Sequence, residues 1–134
     1  MNNRQLLAVA LVAAATTARA APPAEWQTLW WNQHEGSETQ VSGRSIRTHG
    51  QHVNLWMRIK YAHNRNDMGI GPYDAYSFRA DFDCAGDMMT VLAGRFSVGD
   101  TIIKSFDTPL PPVNIEPDTE RGMWEPVVCA SLPK

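Results

Sequence analysis

The sequence has few long apolar runs, and its longest one lies near the N-terminus. Residues 6–15 are apolar throughout, but a helix that crosses a bilayer needs roughly 20 such residues. A positive charge precedes this run, and a small-x-small motif that ends at Ala20 follows it. We therefore expect a secretory signal over residues 1–20, cut before Ala21, and an extended leader over residues 21–24.

The sequence also lacks a strong charge of either sign. The predicted signal contains two of the 12 basic residues and none of the 14 acidic ones, so the rest has a net charge of −4. This mild negative charge argues against a nucleic-acid binder, which neutralises phosphates with Lys and Arg. A hydrophobic content of 43% excludes a disordered chain. We assign residues 25–134 to one domain with one core.

Cysteine is scarce, and both copies lie after the predicted signal. The separation of Cys84 and Cys129 excludes a C-x-x-C redox or metal pair. In an oxidising compartment, two cysteines predict one disulfide, Cys84–Cys129. No cysteine lies near the expected cut between Ala20 and Ala21, so we expect no lipid anchor. The predicted product is soluble and exported, to the periplasm or outside the cell.

Alternation of apolar and polar residues dominates the rest of the chain and predicts β-strands. The clearest run is 53–61, and a bulge is expected at Ser42 and Gly43 in a weaker run. Six strands are predicted, over residues 25–32, 39–48, 53–61, 73–84, 88–98 and 101–106.

The C-terminal part has a different pattern. Residues 107–117 contain four prolines, which exclude a central strand and favour an extended crossover. One short or kinked helix is predicted over 119–130, with Asp118 as its cap and Pro126 as its weak point.

These elements predict an α+β fold that is mostly β: an antiparallel meander sheet of about six strands with one C-terminal helix packed on it. Such a sheet has one apolar face that needs a cover, and the helix is the available one. Cys84 ends the fourth strand, and Cys129 lies on or just after the helix. The disulfide would therefore fasten the helix to the sheet.

Catalytic signatures are missing from the sequence. No Ser lies in a G-x-S-x-G elbow, and bridged cysteines leave no thiol nucleophile, so we predict no catalytic residue, cofactor or metal site. The acids around Cys84 lack the Gly and Glu of a calcium loop and are interpreted as a solvent-facing strand. His49 and His52 are interpreted as solvated turn residues rather than metal or haem ligands.

One stripe on the polar face of the third strand favours binding. Trp56, Arg58 and Lys60 share this face, and protein interfaces are enriched in Trp and Arg. The alternative is that the leader or a second copy of the chain covers the stripe, as in a homodimer. The other tryptophans are predicted to lie in the core: Trp26, Trp30, Trp31 and Trp124.

Several short motifs, in their order, resemble the surface-adhesin protein E-like family over about residues 26–130. That resemblance implies a curved antiparallel sheet, a C-terminal helix bridged to it by the disulfide, a non-catalytic role and adhesion to host extracellular proteins. It identifies no ligand-binding residue. The motifs are the Trp-rich strand 26–31, Ser45-Ile46-Arg47 before Gly50, the run 53–58, Tyr76, Asp83-Cys84, Gly99, Trp124-Glu125-Pro126 and Val127-Val128-Cys129.

Three function hypotheses follow. The first is an exported protein-binding domain that uses the face around Trp56 and Arg58. The second is a periplasmic inhibitor or accessory factor of a hydrolase such as lysozyme, which would insert the loop at residues 63–71 into an active-site cleft. A structural domain without a soluble ligand is the third reading.

Overall fold

The computed structural model describes residues 25–134. The predicted signal, its cut between Ala20 and Ala21 and the leader lie outside the described residues and stay predictions. The elements, in chain order, are the strands β1 Trp26–Asn32, β2 Ser37–Ser42, β3 Arg47–His49, β4 His52–Arg65, β5 Tyr73–Asp83, β6 Met88–Val98, β7 Thr101–Phe106 and β8 Val113–Asn114, and the helix α1 Glu120–Cys129.

The strands form one antiparallel sheet in the order β1-β2-β4-β5-β6-β7, with β3 paired to β4 and β8 paired to β6. Neighbours in the sheet follow one another along the chain, because tight turns connect them. Gly50 and Gly99 occupy two of these turns with φ of 58° and 55°, which glycine adopts without strain. The predicted meander is confirmed.

The core lies between one face of this sheet and α1. Buried side chains alternate along the two central strands, and Trp124 and Val128 of α1 cover them, with exposed fractions of 4% and 3%. The Cys84–Cys129 disulfide joins the end of β5 to the end of α1, with a Cα–Cα distance of 5.9 Å. The predicted staple and its role are confirmed. The buried strand residues of this core are Val53, Leu55, Met57, Phe78, Ala80, Phe82 and Met89.

The predicted second strand is in fact two strands separated by the 3-10 turn Gly43–Ser45. The Ser45 hydroxyl donates to the carbonyl of Ser42 at 2.8 Å and accepts from the amide of Trp56 at 2.8 Å. This side chain replaces a ladder hydrogen bond, so the chain can turn where a simple bulge was expected.

The third predicted strand is longer than expected, since β4 continues to Arg65. The amide of Ala62 donates to the carbonyl of Gly36 at 2.8 Å, and Arg65 pairs with Tyr73 of β5. These partners are distant in the sequence, so the local pattern at the polar end of β4 predicts a loop.

The helix cap is Thr119, and the prediction of Asp118 is wrong. The Thr119 hydroxyl accepts from the amide of Gly122 at 3.3 Å and donates to the carbonyl of Glu116 at 2.7 Å. The hydrogen-bonded turn from Glu116 to Thr119 thus holds Thr119 in the extended conformation that the residue capping α1 needs.

The tryptophans divide between the two faces, and the prediction for two of them is wrong. Trp124 is buried and Trp30 packs against the core, whereas Trp31 is 61% exposed and Trp26 lies on the face away from α1. A register shift between Thr28 and Trp30 changes the alternation of β1, which a strict period of two could not reveal.

Candidate functional site

The sheet face opposite α1 carries the predicted stripe; we call it the open face. Trp56, Arg58 and Lys60 lie on it because they alternate with the buried residues of β4. Trp56 and Arg58 are half-buried, and Lys60 is exposed. The structure therefore places all three predicted residues on one surface.

Trp56 is held by a residue from a strand two positions away in the sheet. The guanidinium carbon of Arg95, on β6, lies 5.1 Å from the centroid of the Trp56 ring. Arg79 of β5 pairs with Trp56 across the ladder, and its Nε donates to Asn54 Oδ1 at 2.9 Å. Cation–π contact of this kind fixes both side chains before any partner arrives.

Arg58 makes a second aromatic contact on the same face. Its guanidinium carbon lies 4.4 Å from the ring centroid of Trp26, and its Nε donates to Gln40 Oε1 at 2.7 Å. Burial is the main cause that lowers the pKa of Arg58, which the nearby acids Glu38 and Glu25 partly oppose. The Arg58 side chain is thus held in place on the open face before any partner binds.

Lys60 lies at the acidic margin of the stripe. Glu38 of β2 pairs with it across the ladder, accepts from the hydroxyl of Thr28 and accepts from Gln40 Nε2 at 3.0 Å. The hydroxyl of Thr28, more than the positive charges of Lys60 and Arg58, lowers the pKa of Glu38. Lys60 itself keeps its ammonium group in solvent.

A shallow cavity of about 340 Å³ lies between the two aromatic contacts. Trp26 and Trp56 form two of its walls, Arg95 supplies its cation, and three serines supply hydroxyls. Sequence reasoning missed Trp26 and Arg95 at this site, because only the pairing of five neighbouring strands, from β1 through β2, β4 and β5 to β6, brings them beside Trp56. The serines in its wall are Ser42, Ser77 and Ser97.

The open face carries four cations close to its tryptophans, with the acids Glu25 and Glu38 at one margin. Within the part of the chain that the structure describes, none of its four cations forms an ion pair. Each keeps hydrogen-bonding capacity for another molecule. The four are Arg58, Lys60, Arg79 and Arg95.

The loop proposed for an inhibitor is shorter than predicted, because residues 63–65 belong to β4. Its base is fixed by Asp67, which binds Arg65 Nη2 at 2.7 Å and accepts from the hydroxyl of Tyr73 at 2.6 Å. These bonds, Arg65 first, lower the pKa of Asp67 to about 2. Arg65 also binds Glu35, and Met68 stands 53% exposed at the tip.

Of the histidines and acids singled out in the sequence, the structure brings together His52 and Asp81, with His49 beside them. His52 Nδ1 lies 2.8 Å from Asp81 Oδ2, and this hydrogen bond raises the pKa of His52. Asp83 Oδ1 accepts from the amides of Ala85 and Gly86, at 3.2 and 3.0 Å. Across residues 25–134, no three His, Cys, Asp or Glu side chains converge on a position that could hold a metal ion.

Comparison with known proteins gives the family. A sequence model described as surface-adhesin protein E matches residues 26–130. The chain belongs to the surface-adhesin protein E family. The resemblance that the sequence motifs indicated is confirmed.

Solved structures of Haemophilus influenzae protein E share the fold of this family member. Crystal form II matches with a TM-score of 0.55 and 13% identity, covering 81% of this chain and 90% of that one. A second structure gives 0.53 and 15%, covering 82% and 90%. Protein E from the non-typeable bacterium gives 0.51 and 13%, covering 82% and 81%.

Among curated proteins, none matches the chain in sequence. In the described range 25–134, the structure contains no helix with the length and hydropathy of a membrane span.

Proposed function

We propose that this protein is an exported, non-catalytic adhesin that binds a host extracellular protein through the open face. The observation that carries the proposal is a set of four cations, near two tryptophans, that have no ion-pair partner among residues 25–134. Membership of the surface-adhesin family supports export and the adhesive role.

The open face suits protein binding for two physical reasons. Arg and Trp contribute strongly to interfaces because they combine large apolar area with directional hydrogen bonds. Here Arg95 and Arg58 already lie against Trp56 and Trp26, so little conformational entropy remains to be lost on binding. Lys60, exposed at the margin, adds positive charge that attracts an acidic partner.

A pull-down tests this proposal. The disulfide-bonded protein is immobilised and exposed separately to host extracellular-matrix proteins and to bacterial envelope extract. We expect a matrix protein to be retained, and Trp56→Ala to lose most of it, while a Val127→Ala control on the exposed side of α1 retains it. Retention that is unchanged by Trp56→Ala would contradict the open face as the binding surface.

The hydrolase-inhibitor hypothesis rests on a separate observation, the fixed base of the loop after β4. Asp67 holds this base through Arg65 and Tyr73, and a rigid loop with an exposed Met68 can enter a cleft. Replacement of residues 68–71 by Gly and Ser would abolish inhibition of lysozyme and leave adhesion intact. If the unmodified protein has no effect on lysozyme activity, inhibition of that enzyme is ruled out.

A second copy of the chain is the other candidate occupant of the open face. Sedimentation of the purified protein distinguishes this outcome, because a homodimer through the open face would compete with the matrix protein. Trp56→Ala would then shift the protein toward monomer.

A further inference from the structure

A second cavity lies on the other side of the sheet, under the N-terminal half of α1. Its volume is about 410 Å³, within the range of roughly 300–1,000 Å³ that small-molecule sites occupy. Its floor is apolar and is formed by Ile59 of β4 and by Met89 and Val91 of β6. The disulfide fastens the opposite end of α1, so the cavity lies away from the staple.

The helix side of this cavity carries one cation without a partner. Glu120 also lines the cavity and is negatively charged, but its Oε1 accepts from Asn32 Nδ2 of β1 at 3.0 Å, which holds the carboxylate toward β1. Arg121, which also lines the cavity, forms no ion pair in the described range 25–134. A cation in the first turn opposes the helix dipole, so Arg121 is not explained by the stability of α1.

One buried and one half-buried side chain in the wall, Trp124 and Tyr76, add a polar character to this end of the cavity. Trp124 follows Arg121 by three residues and therefore lies on the same side of the helix. Its indole N–H is buried and meets no acceptor within the described residues, which is unusual for a buried donor. Burial raises the pKa of Tyr76 to about 12, against the opposing charge of Arg121.

We propose that this cavity binds a small amphiphilic anion. An apolar chain or ring lies against Ile59, Met89 and Val91, and a carboxylate, sulfonate or phosphate group binds Arg121. The anion also complements the positive end of α1, a helix of 10 residues. This inference concerns the face opposite the adhesive one, so it does not depend on the proposed function.

A matched pair of fluorescent probes tests the site. 8-Anilinonaphthalene-1-sulfonate carries the apolar rings and a sulfonate, and N-phenyl-1-naphthylamine carries the same rings without charge. We expect the sulfonate to bind the native protein with one site. Arg121→Gln should weaken it about tenfold and change the affinity for the neutral probe by less than about twofold. Arg44→Gln, an exposed Arg away from the cavity, is the charge-matched control.

A second variant and two competitors locate the probe and its chemistry. Val91→Trp fills the cavity and should remove the binding of both probes, with circular dichroism as the check of folding. Decanoate should compete with the probe if the site prefers an aliphatic chain. 4-Phenylbutyrate should compete if the site prefers an aromatic ring. The proposal is overturned if the native protein binds no sulfonate probe, or if Arg121→Gln and Arg44→Gln bind it equally.

Discussion

At the scale of single residues, the open face depends on contacts between strands that are distant in sequence. The period of two along β4 was enough to predict that Trp56, Arg58 and Lys60 share a face. It was not enough to find Arg95, because β5 and β6 shift register between Arg79 and Ala80. Such a shift depends on pairing across the sheet, which the local sequence does not encode.

Glu125 gives a prediction at this scale, since its carboxyl is perturbed. Burial, then the neighbouring acids Asp87 and Asp83, raise its pKa from 4.5 to about 7. The folded state therefore holds a proton that the unfolded state has lost between about pH 4.5 and pH 7, so stability falls as pH rises through that window. Glu125→Gln should make the protein more stable than wild type at about pH 8, measured as the thermal midpoint.

The control for this measurement is Glu116→Gln, which changes an exposed carboxylate. His52 has a raised pKa as well, and its contribution is also lost as pH rises. The informative quantity is therefore the difference between variants at each pH. If the thermal midpoint of Glu125→Gln changes with pH in the same way as that of the wild type, the raised pKa of Glu125 is contradicted.

At the scale of elements, the sequence predicted the number and order of the long strands, the helix and the disulfide. Its failures have a common cause, which is that side chains or distant backbone replaced the local pattern. Ser45 bonds the amide of Trp56 and splits a strand, and Gly36 pairs with Ala62 and extends β4. Val113 adds the short β8 to β6 beside a proline-rich segment.

Helix α1 gives a prediction with an unexpected sign. Alanine is favoured over glycine inside a helix by about 1 kcal/mol, yet a Cβ at Gly122 would lie 2.3 Å from the carbonyl oxygen of Glu116 and 2.6 Å from that of Pro117. These are backbone atoms and cannot move aside cheaply. Gly122→Ala should lower the free energy of unfolding by about 1–3 kcal/mol, measured by urea denaturation.

The matched control is Val127→Ala on the exposed side of α1, where Val127 is 57% exposed. Its effect should stay within about 0.5 kcal/mol, as expected for a surface position. Stabilisation by Gly122→Ala would show that the turn before α1 has no close contact with the helix.

The staple gives a second prediction for this element. Cys84 and Cys129 close a loop with a separation of 45 residues, for which the chain-entropy model gives about 4 kcal/mol. The double variant Cys84→Ser with Cys129→Ser should therefore lower the denaturation midpoint strongly, with α1 losing protection from hydrogen exchange first. A midpoint equal to that of the disulfide-bonded protein would contradict the role assigned to the staple.

At the scale of the whole molecule, the sheet separates two surfaces with different chemistry. One face is apolar and covered by α1, and the other is open and carries Arg58, Lys60, Arg79 and Arg95 near its tryptophans. An acidic partner is attracted to these cations, so association should be faster at low ionic strength.

Charge reversal on the two faces tests the central claim most directly. Lys60 lies on the open face, whereas Lys104 pairs with the buried Phe96 and is exposed on the helix side. The measurement is the dissociation constant for the matrix protein that the native chain retains, with Lys60→Glu compared to Lys104→Glu. The open-face account predicts a loss of about tenfold or more for Lys60→Glu and less than about twofold for Lys104→Glu; equal losses would contradict it.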